Sequence, residues 1–416
     1  MKVAIIGRGT SAIIQACAFL HLHRRDTSLK LSIYYDPDVP PISVGESSTP
    51  HLPHILRDAL GISMEELIEN DVISRKRGVT FIGWGTGTPW IHGFGDNQNY
   101  SVDGNSGLES FQFDTVVFNK YVSKKLEEKG VEYIAEKVVT QQESDEFVFI
   151  NGRPFDFVVN CTGWNYDKNL TITPKFHTVN AGYLYRDPDF TMTDNLTATD
   201  LTVHRATEDG WEFNLPFPKE GVMKKGYLFN TDYISPEEVT KKMMAQGKEG
   251  RVITWKPKRS KFLIESKHTA ANGNRLFFVE PLQAYSVLLY IELGYLVADY
   301  LYSERSTDIQ NKFNLKYRKL MISYEQELAF HYQYGSIYND VSKFWKDKTK
   351  EAQEVMYYHP TANYMELNEM IKNDYTPTKH SMIKVFMHSR EDLLYVHKWM
   401  TDGWKEGTKP KFVWQV

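Results

Sequence analysis

The chain has 416 residues, 41% of them hydrophobic, enough to bury one large core or two domains sharing a seam. Its net charge of -4 is small and the two signs alternate along most of its length, which excludes the basic footprint of a phosphate-backbone binder; nucleic acid is not an expected partner. Cys17 and Cys161, the two cysteines, have no metal-ligand spacing and make no disulfide framework, so a reducing compartment, the cytoplasm, is expected.

From the N-terminus, Lys2 to Ile6 is a short apolar run ending in glycine, and residues 11–21 carry Ala, Ile and Leu at helical spacing. Arg8 and two glycines break this run, so no signal-peptide core is expected. Residues 29–35 alternate and are β-rich, which completes a βαβ unit and implies a parallel sheet. Between its first strand and helix lies GRGTSA, a GxGxxA turn of Gly7, Gly9, Thr10, Ser11 and Ala12. In that setting the first glycine permits the tight turn, the second lets the backbone approach a pyrophosphate, and the helix N-terminus carries the phosphates. Asp36, at the end of the second strand, is the acidic candidate for the ribose.

The loop PPISVGESSTP, residues 40–50, carries a single carboxylate, Glu46, among turn formers and small hydroxyl residues. Residues 115–129 read as a helix with Val116, Val117, Tyr121 and Leu126 near one face, ended by Gly130. Short strands follow, the last delivering Gly163 toward a ligand. Residues 166–268 are rich in Thr, Tyr and Phe and read as an antiparallel layer. YSVLLYIELGYLVADYL contains Glu292 and Asp299 and reads as a buried helix, too short and too polar for a bilayer, so no membrane is expected. The fold class is α/β: a Rossmann-like parallel sheet module interwoven with an antiparallel substrate layer and C-terminal helices. The division expected is 1–164 for the first part of the dinucleotide-binding module, 165–268 for the antiparallel layer, 269–305 for the return segment and 306–416 for the helical end. Histidines at HLHRR, HLPHIL and MHSR have no third ligand at sensible spacing, so no metal is assigned.

Several segments, taken in order, resemble one family. VGESSTP is similar to the VGEATVP segment of flavin-dependent halogenases related to tryptophan halogenases, and SRKRGVTFIGWG to the segment carrying their active-site lysine. FQFDTVVFNKYVSKKLEEKGV, DFVVNCTGW and FFVEPLQAYSV match further family segments, while GWEFNLP is a softened W-x-W-x-I-P signature. The resemblance implies FAD, used as FADH2 from a separate flavin reductase, with O2 and a halide giving hypohalous acid. Lys76 falls on the catalytic lysine. An ammonium can polarise hypohalous oxygen, or an amine can carry the halogen; read without the resemblance, Lys76 is one of three consecutive surface cations.

Gly45, Glu46, Ser47, Gly163, Glu280, Pro281 and Leu282 fall on flavin-site positions, and Trp211, Phe213 and Pro216 on the substrate side or the path to it. Gln283 replaces the family glutamate and cannot act as a carboxylate base. Tyr285 and Ser286 fall on the halide position, where the larger Tyr285 leaves chloride, bromide and iodide all open. Two alternatives stand beside this reading: a flavin-dependent aromatic monooxygenase, and an FAD-binding protein without catalysis. The substrate is expected to be a small aromatic or heteroaromatic molecule, and a homo-oligomer would suit the aromatic C-terminal helices. Divergence there leaves open a member encoded outside a biosynthetic gene cluster, for instance by a phage.

Overall fold

The computed structural model describes residues 1–23, 28–39, 45–93, 109–163, 169–188, 200–278 and 280–358, with 364–365, 372, 393, 396–398 and 400–401. Residues 40–44 of the loop around Glu46, Trp164 and the MHSR histidine lie outside them. The chain divides into two compact units: Met1–Ile73, Phe113–Thr173 and Pro257–Lys319 form the first, and Ser74–Gln112, Pro174–Lys256 and Leu320–Val416 the second.

The first unit is built on a five-stranded parallel sheet, in the order Thr269–Ala271, Phe157–Asn160, Lys2–Ile6, Lys30–Tyr35, Glu132–Ala135. Val3, Ala4 and Ile5 are fully buried, as a central strand covered on both faces requires. A meander of Gln141–Glu143, Val148–Ile150 and Arg153–Phe155 contributes Val148, Ile150 and Phe155 to the cluster around Ala4, Tyr34 and Val158. The helix Thr10–Leu22 follows the glycine turn, and Tyr285–Leu301 is a second buried helix of this unit.

A buried polar network ties these elements together. Asn272 donates to the Gln15 side chain and to the Tyr290 carbonyl, both at 3.0 Å, and Gln15 donates to the Gly294 carbonyl at 3.2 Å. Each of these polar groups is thereby satisfied in the interior, where an unmade hydrogen bond costs about 1–3 kcal/mol. By length and composition Leu282–Leu301 would cross a membrane, yet 78% of that window is buried inside the protein, which marks a core helix.

The helix Thr115–Glu128 begins at Asp114, whose carboxylate accepts from the N–H groups of Val116 at 2.9 Å and Val117 at 3.4 Å. Its buried stripe is Phe118, Val122 and Leu126, while Val116 and Val117 are 38% and 43% exposed. This corrects the face read from sequence: the cap puts both valines in the first turn, on the side that the Phe118 stripe leaves to solvent.

The second unit is organised by a seven-stranded sheet, in the order Gly250–Thr254, Ala181–Asp187, Val222–Phe229, Gly210–Phe217, Leu201–Thr207, Gly78–Ile82, Trp90–Gly93. Its pairs are antiparallel except for Leu201–Thr207 with Gly78–Ile82, which run parallel. The antiparallel layer thus recruits two strands from far upstream in the chain, and the parallel pair needs the long crossover that separates them. Pro236–Met244, with a capping box of Ser235 and Glu238, and Lys343–Tyr358 are helices of this unit. The helix Thr307–Tyr332 passes from the first unit into the second at Lys319.

Candidate active site

In the first unit the glycine turn has the form that a dinucleotide requires. Gly7 sits at φ +113°, and a Cβ there would lie 2.7 Å from the Cys161 carbonyl oxygen, so only glycine passes. A Cβ on Gly9 would meet nothing within 4 Å. Gly9 is also the N-cap of Thr10–Leu22 and makes no side-chain cap, so no side chain of the cap residue competes for the positive end of the helix. These residues fit the pyrophosphate of FAD. Ser11 instead packs on Gly273, where a Cβ would come 2.2 Å from the Ser11 Oγ, and Ala12 is buried.

Asp36, just beyond Lys30–Tyr35, accepts from the Asp38 N–H at 3.0 Å and pairs with Lys137 at 3.2 Å; these, the Asp38 bond foremost, hold its carboxyl below the usual range. Arg8 stacks its guanidinium 4.4 Å from the centre of the Tyr35 ring, placing a cation beside the turn that sequence reading did not nominate.

Glu46, on the short strand Gly45–Ser47, is half-buried as a residue, while its Oε2 is closed to solvent and has no hydrogen-bond partner among the described residues. Burial pushes its carboxyl up to about 7, with the Thr10 hydroxyl acting weakly against it. It is thus poised to be neutral near neutral pH and to donate a hydrogen bond. Ser47 is half-buried, and Gly163 is exposed with open space at its Cβ position.

Glu280 and Leu282 are fully buried, Pro281 half-buried, and Gln283 and Ala284 follow in consecutive left-handed conformations, φ 51° and 61°. Each such non-glycine residue costs on the order of 1–3 kcal/mol, a strain that concentrates at functional sites. The pair leads directly into Tyr285–Leu301, which has no side-chain N-cap, and in its first turn the Ser286 Oγ is buried with no hydrogen-bond partner among the described residues. Tyr285 itself is fully buried. Uncapped N–H groups, a positive helix end and an unmatched hydroxyl make a setting suited to a small anion.

The second unit holds Lys76. The strand Ile73–Lys76 separates the three consecutive cations: Arg75 pairs with Glu109 and Arg77 with Asp200, whereas Lys76 turns inward and is 1% exposed. Burial brings its amine down to about 7. The surface-cation reading fails for Lys76 and holds for Arg75, while Arg77 is half-buried in its ion pair with Asp200.

Beside Lys76 lies an aromatic box centred on Phe81, stacked on Trp90 with ring centres 4.3 Å apart and edge-on to His204 at 5.2 Å and Trp84 at 5.6 Å. Trp211 lies 4.7 Å from His204 and 6.4 Å from Phe213, which shares its strand and face. Pro216 is buried farther along that strand. The indole N–H groups of Trp84, Trp90 and Trp211 are closed to solvent and have no partner among the described residues.

Two histidines here were not nominated from sequence. Burial, then the Lys76 charge, then His331 push His204 well below the usual imidazole range, and burial brings His331 to about 4. Both imidazoles are neutral at working pH. The His204 signal was its place in LTVHRAT, a β-rich run whose first four residues are all buried; His331, in a long aromatic helix, gave none. Among the described residues no three His, Cys, Asp or Glu side chains gather as a metal site. A separate cleft of about 380 Å³, lined by Glu208, Asp209, Asp232, Tyr233, Lys343 and Phe344 among others, contains none of the nominated residues.

The model of the tryptophan halogenase family matches residues 2–105 and 99–400, and the chain belongs to that family. Its fold is similar to that of a tryptophan 6-halogenase from Streptomyces toxytricini, at 18% identity and a TM-score of 0.76, over 95% of this chain and 89% of that one. It is also similar to BrvH, a flavin-dependent halogenase from Brevundimonas sp. BAL3, at 19% identity and 0.76, over 98% and 91%. A tryptophan halogenase from Shewanella frigidimarina NCIMB 400 matches at 17% identity and 0.76, over 99% and 91%. No curated protein sequence matches the chain significantly.

Proposed function

We propose that the chain is an FAD-dependent halogenase that transfers an electrophilic halogen to an electron-rich aromatic carbon, with Lys76 directing the transfer. FAD, when bound and reduced by a separate flavin reductase, supplies the electrons that with O2 and halide yield hypohalous acid. The Gly7 to Ala12 turn holds the pyrophosphate, Asp36 the ribose, and Glu46 with Glu280, Pro281 and Leu282 shape the remainder of the cofactor site. The first turn of Tyr285–Leu301, with Ser286, receives the halide. Tyr285 reshapes that position relative to the family's smaller residue, so the more polarizable bromide and iodide are tested beside chloride.

The observation that carries the reading is the burial of Lys76 between two ion-paired arginines. A structural lysine gains little from such a site, since desolvation disfavours its charge. An amine near 7 is present in both protonation states at working pH, so it can polarise hypohalous oxygen as the ammonium or take the halogen as the free amine. The aromatic box supplies apolar walls against which a ring is held.

The test is turnover of phenols and indoles with FAD, a flavin reductase, NADH and air, offering each halide in turn and reading products by mass spectrometry. Halide-dependent ring halogenation supports the reading. Hydroxylated product in its place would move the assignment to an aromatic monooxygenase.

A further inference from the structure

By the segment resemblance Gln283 falls on a glutamate position, and an amide cannot take the proton that the halogenated ring carbon must lose. Each buried carboxylate of the second unit accepts at least one hydrogen bond. Glu212 accepts from the Tyr185 hydroxyl at 2.6 Å, Glu327 from the Tyr364 hydroxyl at 2.6 Å, and Glu325 from the Lys175 N–H at 3.2 Å. His331 is engaged through Nδ1, 2.8 Å from the Glu327 carbonyl.

His204 differs from these carboxylates in lying against the Phe81 and Trp211 rings of the aromatic box. It is 2% exposed, opposite Phe81 in the parallel ladder and against the Trp211 ring, and its Nδ1 is closed to solvent without a hydrogen-bond partner among the described residues. A buried polar atom left open in this way costs stability and calls for an explanation in ligand or reaction.

Resting on the halogenase reading above, we infer that His204 is the proton acceptor of the reaction, taking at Nδ1 the hydrogen of the carbon that receives the halogen. The step balances. Lys76, as the ammonium, gives a proton to the departing hydroxide of the hypohalous acid, which leaves as water while the halogen bonds to the ring carbon. The C–H bond at that carbon then breaks, its electron pair restores the aromatic ring, and the proton goes to His204. From the imidazolium it returns to the Lys76 amine, restoring both groups. Aromatic C–H and hypohalous acid give aromatic C–halogen and water, with no further reactant.

The low basicity of His204 suits the step. Burial and the neighbouring Lys76 keep its imidazole neutral, hence ready to accept, at any working pH, and a ring-halogen cation is acidic enough to protonate it. The neutral Lys76 amine, the stronger base of the two, then takes the proton.

The test uses phenol and indole with their ring-deuterated forms, comparing wild type with His204→Gln, whose fold is checked by near-UV circular dichroism. In wild type proton loss is fast and deuteration leaves the rate unchanged. In His204→Gln the rate falls, toward the 10²–10⁴-fold that a positioned base contributes, and a primary isotope effect emerges because proton loss has become limiting. A merely structural histidine would slow turnover without an isotope effect; that result, or wild-type turnover by the folded variant, overturns the assignment. Should the glutamine variant fail to fold, His204→Phe, which keeps a ring against Phe81 and Trp211, carries the same comparison. A wild type that halogenates neither probe with any halide removes the halogenase reading itself, and the His204 role with it.

Discussion

Replacing Lys76 by Met is expected to stabilise the protein while removing its function. Burial brings the Lys76 amine from 10.5 to about 7, and at 1.36 kcal/mol per tenfold change this is a penalty of about 5 kcal/mol on the charged form. Below pH 7 the folded chain bears all of it. Between pH 7 and 10.5 the unfolded chain binds more protons than the folded one, so wild-type stability rises with pH; the remaining penalty is about 4 kcal/mol at pH 7 and about 2 kcal/mol at pH 9. Methionine keeps the volume and apolar contacts, and loses the hydrogen bonding of the amine, worth about 1 kcal/mol. The net gain is then about 3 kcal/mol at pH 7 and little by pH 9. Urea denaturation of both proteins at pH 6, 7.5 and 9, followed by tryptophan fluorescence, measures it. A variant no more stable than wild type at pH 6, or one whose gain does not shrink as pH rises, would refute the argument that Lys76 is held in the interior at a cost accepted for function.

Gly9→Ala should fold and melt like wild type, because the added methyl meets no protein atom, yet lose FAD affinity by at least tenfold in a flavin-fluorescence titration. Equal affinity would show that the pyrophosphate does not approach there. Glu46 has its folded carboxyl raised to about 7, so stability at this site is full below pH 4.5 and is lost as pH rises through 7. Glu46→Gln should therefore match wild type at pH 4.5 and exceed it at pH 8 in thermal melts, while retaining FAD. Ser286→Ala should raise the KM for halide several-fold and leave kcat at saturating halide nearly unchanged; an unchanged KM would remove Ser286 from the halide position.

Much of the first unit was legible because its signals are local. A strand, a glycine turn and a helix lie within 22 residues, and the apolar run Tyr285–Leu301 is one unbroken helix. The second unit was harder to read, since its sheet pairs Gly78–Ile82 with Leu201–Thr207 across more than a hundred residues, and no local pattern encodes that partner. Lys76 shows the same limit. Three consecutive cations read as a solvated face, and only strand alternation, with Glu109 and Asp200 waiting for Arg75 and Arg77, turns the middle one inward. For His204 the sequence showed a β-rich setting but not that its Nδ1 would be left without a hydrogen-bond partner among the described residues. The two valines of Thr115–Glu128 were misassigned for a smaller reason: the Asp114 cap sets where the helix begins, and with it the rotation of every face.

The central claim, that Lys76 directs a halogen which the rest of the protein generates, is tested most directly by separating generation from transfer. Wild type and Lys76→Met are given FAD, a flavin reductase, NADH, air and each halide, once with an aromatic substrate and once with a thioether trap for free hypohalous acid. The account expects both proteins to feed the trap at similar rates and only wild type to yield ring-halogenated product. Ring halogenation by Lys76→Met at the wild-type rate would contradict it.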